Sequence, residues 1–484
     1  MQRVRLLATT LALGAIVLAV RPVAAGDSPT IPGAPGPTVR TPAAPAKATE
    51  VTIPFTRWAL PNGMVVIVHE DHTLPIAVVN VSYGVGSRFE SKGRTGFAHL
   101  FEHLMFMGTR RAPTKAFDAW MEAAGGWNNA WTSQDRTDYY DVGPPTSVDL
   151  LLWLEADRLR DLGPLMTKEK LDAQREVVRN ERRQTSENRP YGKVELRMPE
   201  LLYPPGHPYH HPVIGSHADL EAATVEDVKD FFARWYDPAN ASLVVAGDVD
   251  PAKVKAKVEA LFGGIPSRGK PKDPGAPEFE GGKAKLGQVV RETIEDDVEL
   301  AKLVVAWQSP KHFGEGDAEL DVLATALANG KASRLYKSLV YEQKLAQSVS
   351  AGQDSGTIGS QFSIEVLARP GVSLQTIEAA LDKELAKVRE APLTDEEITR
   401  AKNVVETAFV ARLESVRERA SLLNMYQAEV GEPGYLAKDL QRYRDVTKEK
   451  VRDVTKTWLL PNARVVVSAV PRAKAAAPAK GGAK

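Results

Sequence analysis

Thr224-Val225-Glu226-Asp227-Val228-Lys229-Asp230, with Trp235 and Pro238 behind it, has a counterpart later in the chain. That counterpart is Thr447-Lys448-Glu449-Lys450-Val451-Arg452-Asp453, with Trp458 and Pro461 behind it. Six identities fall at one constant offset of 223 residues. One or two such matches arise by chance; six at one offset mark a duplicated unit. In each copy the threonine is placed to cap a helix. Each helix then runs towards an apolar strand, Ser242–Ala246 in the first copy and Arg464–Ala469 in the second. The chain therefore reads as two similar domains, each mixing strands and helices.

A polar Pro/Gly-rich stretch, 267–285, separates the copies and reads as a linker. The expected domains are then 51–266 and 286–470. Within the first, Leu60-Pro61-Asn62-Gly63 is a turn signal between β-rich runs. Met64–Val68 and Ala77–Tyr83 read as strands, and Gly96 to Met107 changes to a helical pattern that stops at Gly108. Within the second, Lys302–Trp307 reads as a strand. Leu320, Leu323, Ala324 and Leu327 mark one face of a helix ended by Asn329-Gly330.

The two ends read differently. Arg3 and Arg5, the apolar run Leu6 to Val20, and Val23-Ala24-Ala25 form a secretory signal peptide over 1–25. Residues 26–50 contain six prolines and read as a Pro/Ala-rich linker. The Ala/Lys/Gly/Pro-rich tail 471–484 reads as disordered. The expected location is periplasmic or secreted, with no membrane attachment after signal cleavage.

Composition narrows the chemistry. The 484 residues hold no cysteine, which excludes a thiolate metal site, an iron–sulfur cluster, a disulfide scaffold and a cysteine nucleophile. Lysine plus arginine number 62, as do aspartate plus glutamate, so nothing in the charge points to nucleic acid.

The chemistry sits in His99-Leu100-Phe101-Glu102-His103. Residues four apart share a helix face, so His99 and His103 can reach one ion, and Glu102 borders the same face. With nine histidines in the chain, chance supplies this five-residue pattern about once in a hundred such sequences. Leu100, Phe101, Leu104 and Met105 make the helix apolar, so polar groups on it need partners. One Zn2+ per chain suits two imidazoles and an open position, with Glu102 as the general base. A third ligand has to come from elsewhere. Glu181 and Glu176 both lie on a charged helix downstream, and spacing alone does not separate them.

At this point the sequence resembles the M16 zinc peptidases (insulinase, pitrilysin and mitochondrial processing peptidase). The resemblance rests on H-x-x-E-H and a glutamate in a V-V-x-x-E context 78 residues beyond His103. Further matches are Pro61-Asn62-Gly63, Asn129-Ala130, His207-Pro208-Tyr209, Ile214-Gly215-Ser216 and Val244-Val245-Ala246-Gly247-Asp248. It extends from about Val51 to Ala469.

The resemblance implies an α+β fold of two homologous α/β-sandwich domains. Each would have a mixed, largely antiparallel sheet with helices on one face, and the two would confront each other across a substrate chamber. It implies zinc ligands His99, His103 and Glu181, with Glu102 catalytic. It implies that Asn129 and Ala130 lie on an edge strand to which an extended peptide substrate adds by main-chain hydrogen bonds.

Two departures from the family pattern stand out. Where many active members have a glutamate seven residues before the third ligand, this chain has Gln174, left with a hydrogen-bonding role. Where many single-chain members have an arginine and, seven residues on, a tyrosine, this chain has Val340 and Gln347. Valine donates no hydrogen bond. The expectation is a zinc-bearing subunit paired with a paralogue that supplies the arginine–tyrosine pair, with a homodimer as the other arrangement. The competing readings are a non-catalytic assembly subunit on the same fold and a zinc hydrolase of another amide. His207, His210 and His211 cluster in a proline-flanked loop and are not taken as a second metal site. His69, His72, His217 and His312 read as structural or solvated, and Trp127, Trp131, Tyr139 and Tyr140 as packing or groove residues.

Overall fold

The computed structural model describes residues 51–275 and 286–472. The expected signal peptide, the lead-in before residue 51, residues 276–285 of the linker and the tail from 473 lie outside the described residues.

The first half contains β1 (Thr56–Ala59), β2 (Val65–Glu70), β3 (Ala77–Tyr83), α1 (Phe97–Leu104), α2 (Ala116–Ala123), β4 (Trp127–Thr132) and β5 (Thr137–Gly143). It continues with α3 (Val148–Asp161), α4 (Lys168–Glu181), α5 (Gly192–Leu202), α6 (His217–Glu221), α7 (Val225–Trp235), β6 (Ala241–Gly247) and α8 (Pro251–Phe262). The second half contains β7 (Val289–Asp296), β8 (Lys302–Ser309), α9 (Asp317–Ala328), β9 (Ala346–Asp354) and β10 (Ser360–Ala368). It ends with α10 (Leu374–Glu390), α11 (Asp395–Arg412), α12 (Val416–Val430), α13 (Leu436–Arg444), α14 (Lys448–Trp458) and β11 (Arg464–Pro471).

The sequence repeat becomes a repeat of topology. The first sheet has the order β1-β2-β6-β3-β5-β4 and the second β7-β11-β8-β10-β9. Without β1 the two orders are the same. In each sheet one pair is parallel, β2 with β6 and β7 with β11, and the other pairs are antiparallel. The central strands β3 and β6 are buried along their whole length, which suits their valine-rich sequences.

The repeated threonines cap as their sequence context suggests. Thr224 accepts from the Asp227 amide, and Asp227 reaches back to the Thr224 amide, closing a capping box. Thr447 accepts from the Lys450 amide but has a lysine where the box needs an acid. The turn before β2 needs Gly63, whose φ is 89° and whose missing Cβ would lie 2.8 Å from the Ala239 Cβ.

The helices on one face of each sheet come from its own half, as expected; the opposite face is covered by the other half. Val416, Ala420, Leu422, Leu423 and Tyr426 of α12 pack with Ile67, Val78, Val244 and Ala246 of the first sheet. Val194, Met198 and Leu202 of α5 pack with Val304, Ala306, Val465 and Val467 of the second. Polar groups fix this exchange. The buried Asn424 side chain donates to the Asn80 backbone oxygen at 2.9 Å and to its Oδ1 at 2.6 Å, and accepts from Ser242 Oγ at 2.7 Å. Each bond satisfies groups that would otherwise be buried unpaired.

Candidate metal centre and active site

Helix α1 starts at Gly96, whose φ of 88° is left-handed, and its first turn has no acid of its own. Glu90 supplies the cap instead, accepting from the Gly96 amide at 2.8 Å and the Ala98 amide at 2.7 Å. Phe97, Leu100, Phe101 and Leu104 are buried in the core of the first half. This anchors the helix and fixes where its three polar residues stand.

His99 and His103 lie one turn apart with ring centroids 4.8 Å apart. Glu181, the last residue of α4, meets both: its Oε2 is 3.7 Å from His99 Nε2 and 3.2 Å from His103 Nε2. One ligand atom from each of the three residues lies within 4.8 Å of the others. A tetrahedral zinc ion with bonds of about 2.0–2.1 Å would hold its ligand atoms about 3.4 Å apart, so the donor set fits zinc. Directly after Glu181 the chain makes a π-helical turn, Arg182–Glu187, in which Arg182 binds Glu187 and the Gly215 carbonyl.

Electrostatics follow from burial. His99 has its pKa pushed down by burial and by His103 beside it, with Glu181 opposing. The hydrogen bond from His103 holds the Glu181 carboxyl below its ordinary range, with burial opposing. Glu102, 8% exposed, has its pKa raised by burial. The Thr132 hydroxyl, which donates to Glu102 Oε2 at 2.6 Å, and the neighbouring His103 pull it the other way.

Thr132 touches Glu102, although the sequence singles out Asn129 and Ala130 on its strand and not Thr132. It ends β4, the edge strand of the first sheet, and no local pattern announces a bond to a residue 30 positions earlier. Asn129 and Ala130 lie on the same edge strand, opposite Tyr140 and Tyr139 of β5. The Asn129 side chain accepts from the Ala130 amide at 2.8 Å.

Gln174 donates to Met107 Sδ at 2.8 Å. Glu176 pairs with Arg179 at 2.7 Å and lies away from the histidines, as a solvated helix charge does. Val340 is buried in the core of the second half, where its carbonyl accepts from Arg369 at 3.2 Å. Gln347 is exposed on β9. Arg334 is engaged by Glu397 through two bonds of 2.5 and 2.7 Å, and Tyr336 packs on the second core. Among the described residues no second group of metal-binding side chains accompanies His99, His103 and Glu181.

Known proteins carry the same plan. The family model "Insulinase (Peptidase family M16)" matches residues 65–203, and "Peptidase M16 inactive domain" matches residues 222–405. The chain belongs to peptidase family M16. It is 29% identical over 372 residues to the zinc protease PqqE of Helicobacter pylori, covering 76% of this chain and 82% of that one. An uncharacterized zinc protease of Streptomyces coelicolor is 28% identical over 406 residues, covering 83% of this chain and 87% of that one. The crystal structure of a protease from Helicobacter pylori has a TM-score of 0.80 at 26% identity, covering 87% of this chain and 100% of that chain. The periplasmic protease PqqL of Escherichia coli shares the fold, with a TM-score of 0.72 at 19% identity over 87% of this chain and 48% of that one. Among the described residues of this M16 protein, no helix is long and apolar enough to cross a membrane.

Proposed function

We propose that this M16 protein is a zinc-dependent endopeptidase of the periplasm or the secreted fraction, acting on extended peptides or unfolded segments. The observation that carries the reading is the pairing of a three-donor set, His99, His103 and Glu181, with a buried carboxyl, Glu102, on the same helix. His99 and His103 through Nε2, and Glu181 through Oε2, would hold the metal. When bound, zinc supplies Lewis acidity, polarising a peptide carbonyl and acidifying a water molecule. Glu102 takes the proton from the attacking water on a carboxylate oxygen and passes it to the leaving amine. Thr132 occupies Oε2 of Glu102 and leaves Oε1 for that transfer. Asn129 and Ala130 on the β4 edge bind the peptide main chain, and the substrate lies in a chamber between domains 51–266 and 286–470. Gln174, engaged with Met107, supports the packing around α4 rather than the proton transfer.

A partner completes the reading. Val340 and Gln347 leave the chain without the arginine–tyrosine pair, so a paralogous subunit supplies it. The same substitutions favour the second reading, a non-catalytic assembly subunit. The test is hydrolysis of an unstructured peptide mixture by the mature chain alone and mixed with an M16 paralogue, before and after chelation and zinc return. Zinc-dependent cleavage in either arm supports the peptidase. Zinc loading with no cleavage in both arms supports the assembly subunit.

A further inference from the structure

The sheets have hairpins in matching places, β4–β5 in the first half and β9–β10 in the second, and their turns meet. The meeting point is Asp135, in the turn directly after Thr132. Its carboxylate accepts from the Thr357 amide at 3.0 Å and the Thr357 hydroxyl at 2.5 Å. It also accepts from the Tyr209 hydroxyl at 2.8 Å and pairs with Arg88 Nε at 2.8 Å. The Arg88 side chain is 6% exposed, and its remaining nitrogens bind Asp273 in the connector between the halves at 2.8 and 2.6 Å.

The segment around Arg88 touches both sides of the candidate active site. Ser87 and Arg88 donate their amides to the Ser133 and Gln134 carbonyls at 3.1 and 2.9 Å, pinning the β4–β5 turn. Gly86 is required by this contact, since a Cβ there would stand 2.4 Å from the Ser133 carbonyl oxygen. Two residues beyond Arg88, Glu90 caps α1. One short segment thus holds the end of the strand carrying Thr132 and the start of the helix carrying Glu102. The Thr132–Glu102 bond spans the gap between them.

We propose that Asp135 is a positioning residue through which the second half of the chain sets the edge strand β4, and with it Thr132, against Glu102. The inference rests on the peptidase reading for its catalytic consequence. Removing the Thr357 hydroxyl frees one acceptor site on a nearly buried carboxylate. Removing the Asp135 charge also leaves the buried Arg88 guanidinium with one partner fewer.

The test uses the zinc-loaded full mature chain, with an M16 paralogue added for the kinetics, as wild type and as Thr357→Val, Thr357→Ser and Asp135→Asn. Peptide kinetics, zinc content and amide hydrogen exchange across β4 are read together. The expected result for Thr357→Val is a kcat about tenfold lower, and for Asp135→Asn one about 10²-fold lower, because small displacements of reacting groups are costly. KM and zinc content stay near wild type, β4 amides exchange about tenfold faster, and Thr357→Ser returns both readouts to wild type. Unchanged β4 exchange in Thr357→Val and Asp135→Asn overturns the inference, as does a Thr357→Ser protein that behaves like Thr357→Val. Exchange is read whether or not the wild type cleaves peptide, so a failed peptidase reading is told apart from a failed positioning role.

Discussion

Helices α1 and α9 begin alike and diverge at once. Each follows a left-handed glycine, Gly96 with φ 88° and Gly316 with φ 92°, and each packs beside the edge strand of its own sheet. Aligned on those glycines, Phe97 and Phe101 correspond to Asp317 and Asp321, while Glu102 and His103 correspond to Val322 and Leu323. In α1 the phenylalanines are buried and the histidines look towards α4. In α9, Val322 and Leu323 are buried, while Asp317 pairs with Arg442 at 2.5 Å and Asp321 accepts from the Tyr443 hydroxyl at 2.8 Å. At these four positions apolar and polar residues have traded places on one scaffold, while His99 corresponds to Glu319. A duplicated fold therefore fixes where a site can stand, and a handful of side chains decides whether chemistry stands there.

Four changes would break or sharpen this contrast. The largest effect is expected from Glu102→Gln, which keeps the shape and removes the proton acceptor. Peptide hydrolysis should fall by about 10⁴-fold, the upper range for a lost acid–base group, with zinc content unchanged. His103→Ala comes next. Zinc measured after dialysis should drop from one per chain to near zero, with activity lost in parallel, while circular dichroism stays that of a folded protein.

Third is the reverse exchange in the second half. Val322→Glu puts a carboxyl into an apolar core with no partner, and chemical denaturation should show about 3–5 kcal/mol of lost stability with zinc still bound. The smallest effect concerns pH. Burial, aided by nearby Asp317, raises the Asp321 pKa to about 7, with the Tyr443 hydroxyl opposing. The folded chain keeps this proton between its unfolded value of about 4 and its folded value, while the unfolded chain releases it. Stability should therefore fall as pH rises through that window and level off above it. Asp321→Asn, which does not titrate, should flatten the slope by at most about 1.4 kcal/mol per pH unit in thermal or denaturant melts.

Legibility in the sequence followed range along the chain. The threonine caps, the strand Ala77–Tyr83 and the helix ended by Asn329-Gly330 were readable because the signals lie within a few residues. The shared face of His99 and His103 needs only one helical turn, and in the structure the two meet Glu181. Spacing alone does not separate Glu181 from Glu176, since both lie on one charged helix; in the structure Glu181 meets the histidines and Glu176 faces Arg179. The exchange of α5 and α12 between sheets was invisible, because an apolar helix face says that it is covered and not by what. The Thr132–Glu102 bond and the Asp135 junction were hidden for the same reason: they join residues that only the folded chain brings together.

The most direct measurement of the central claim is peptide cleavage by the purified mature chain, with an M16 paralogue added in a parallel arm. Bound zinc would be counted on the same samples, in wild type beside Glu102→Gln. One zinc per chain is expected in both proteins, with peptide cleaved by the wild type and not by Glu102→Gln. Cleavage that persists in Glu102→Gln, a wild-type chain that holds no zinc, or a zinc-loaded wild type silent in both arms would contradict the peptidase reading.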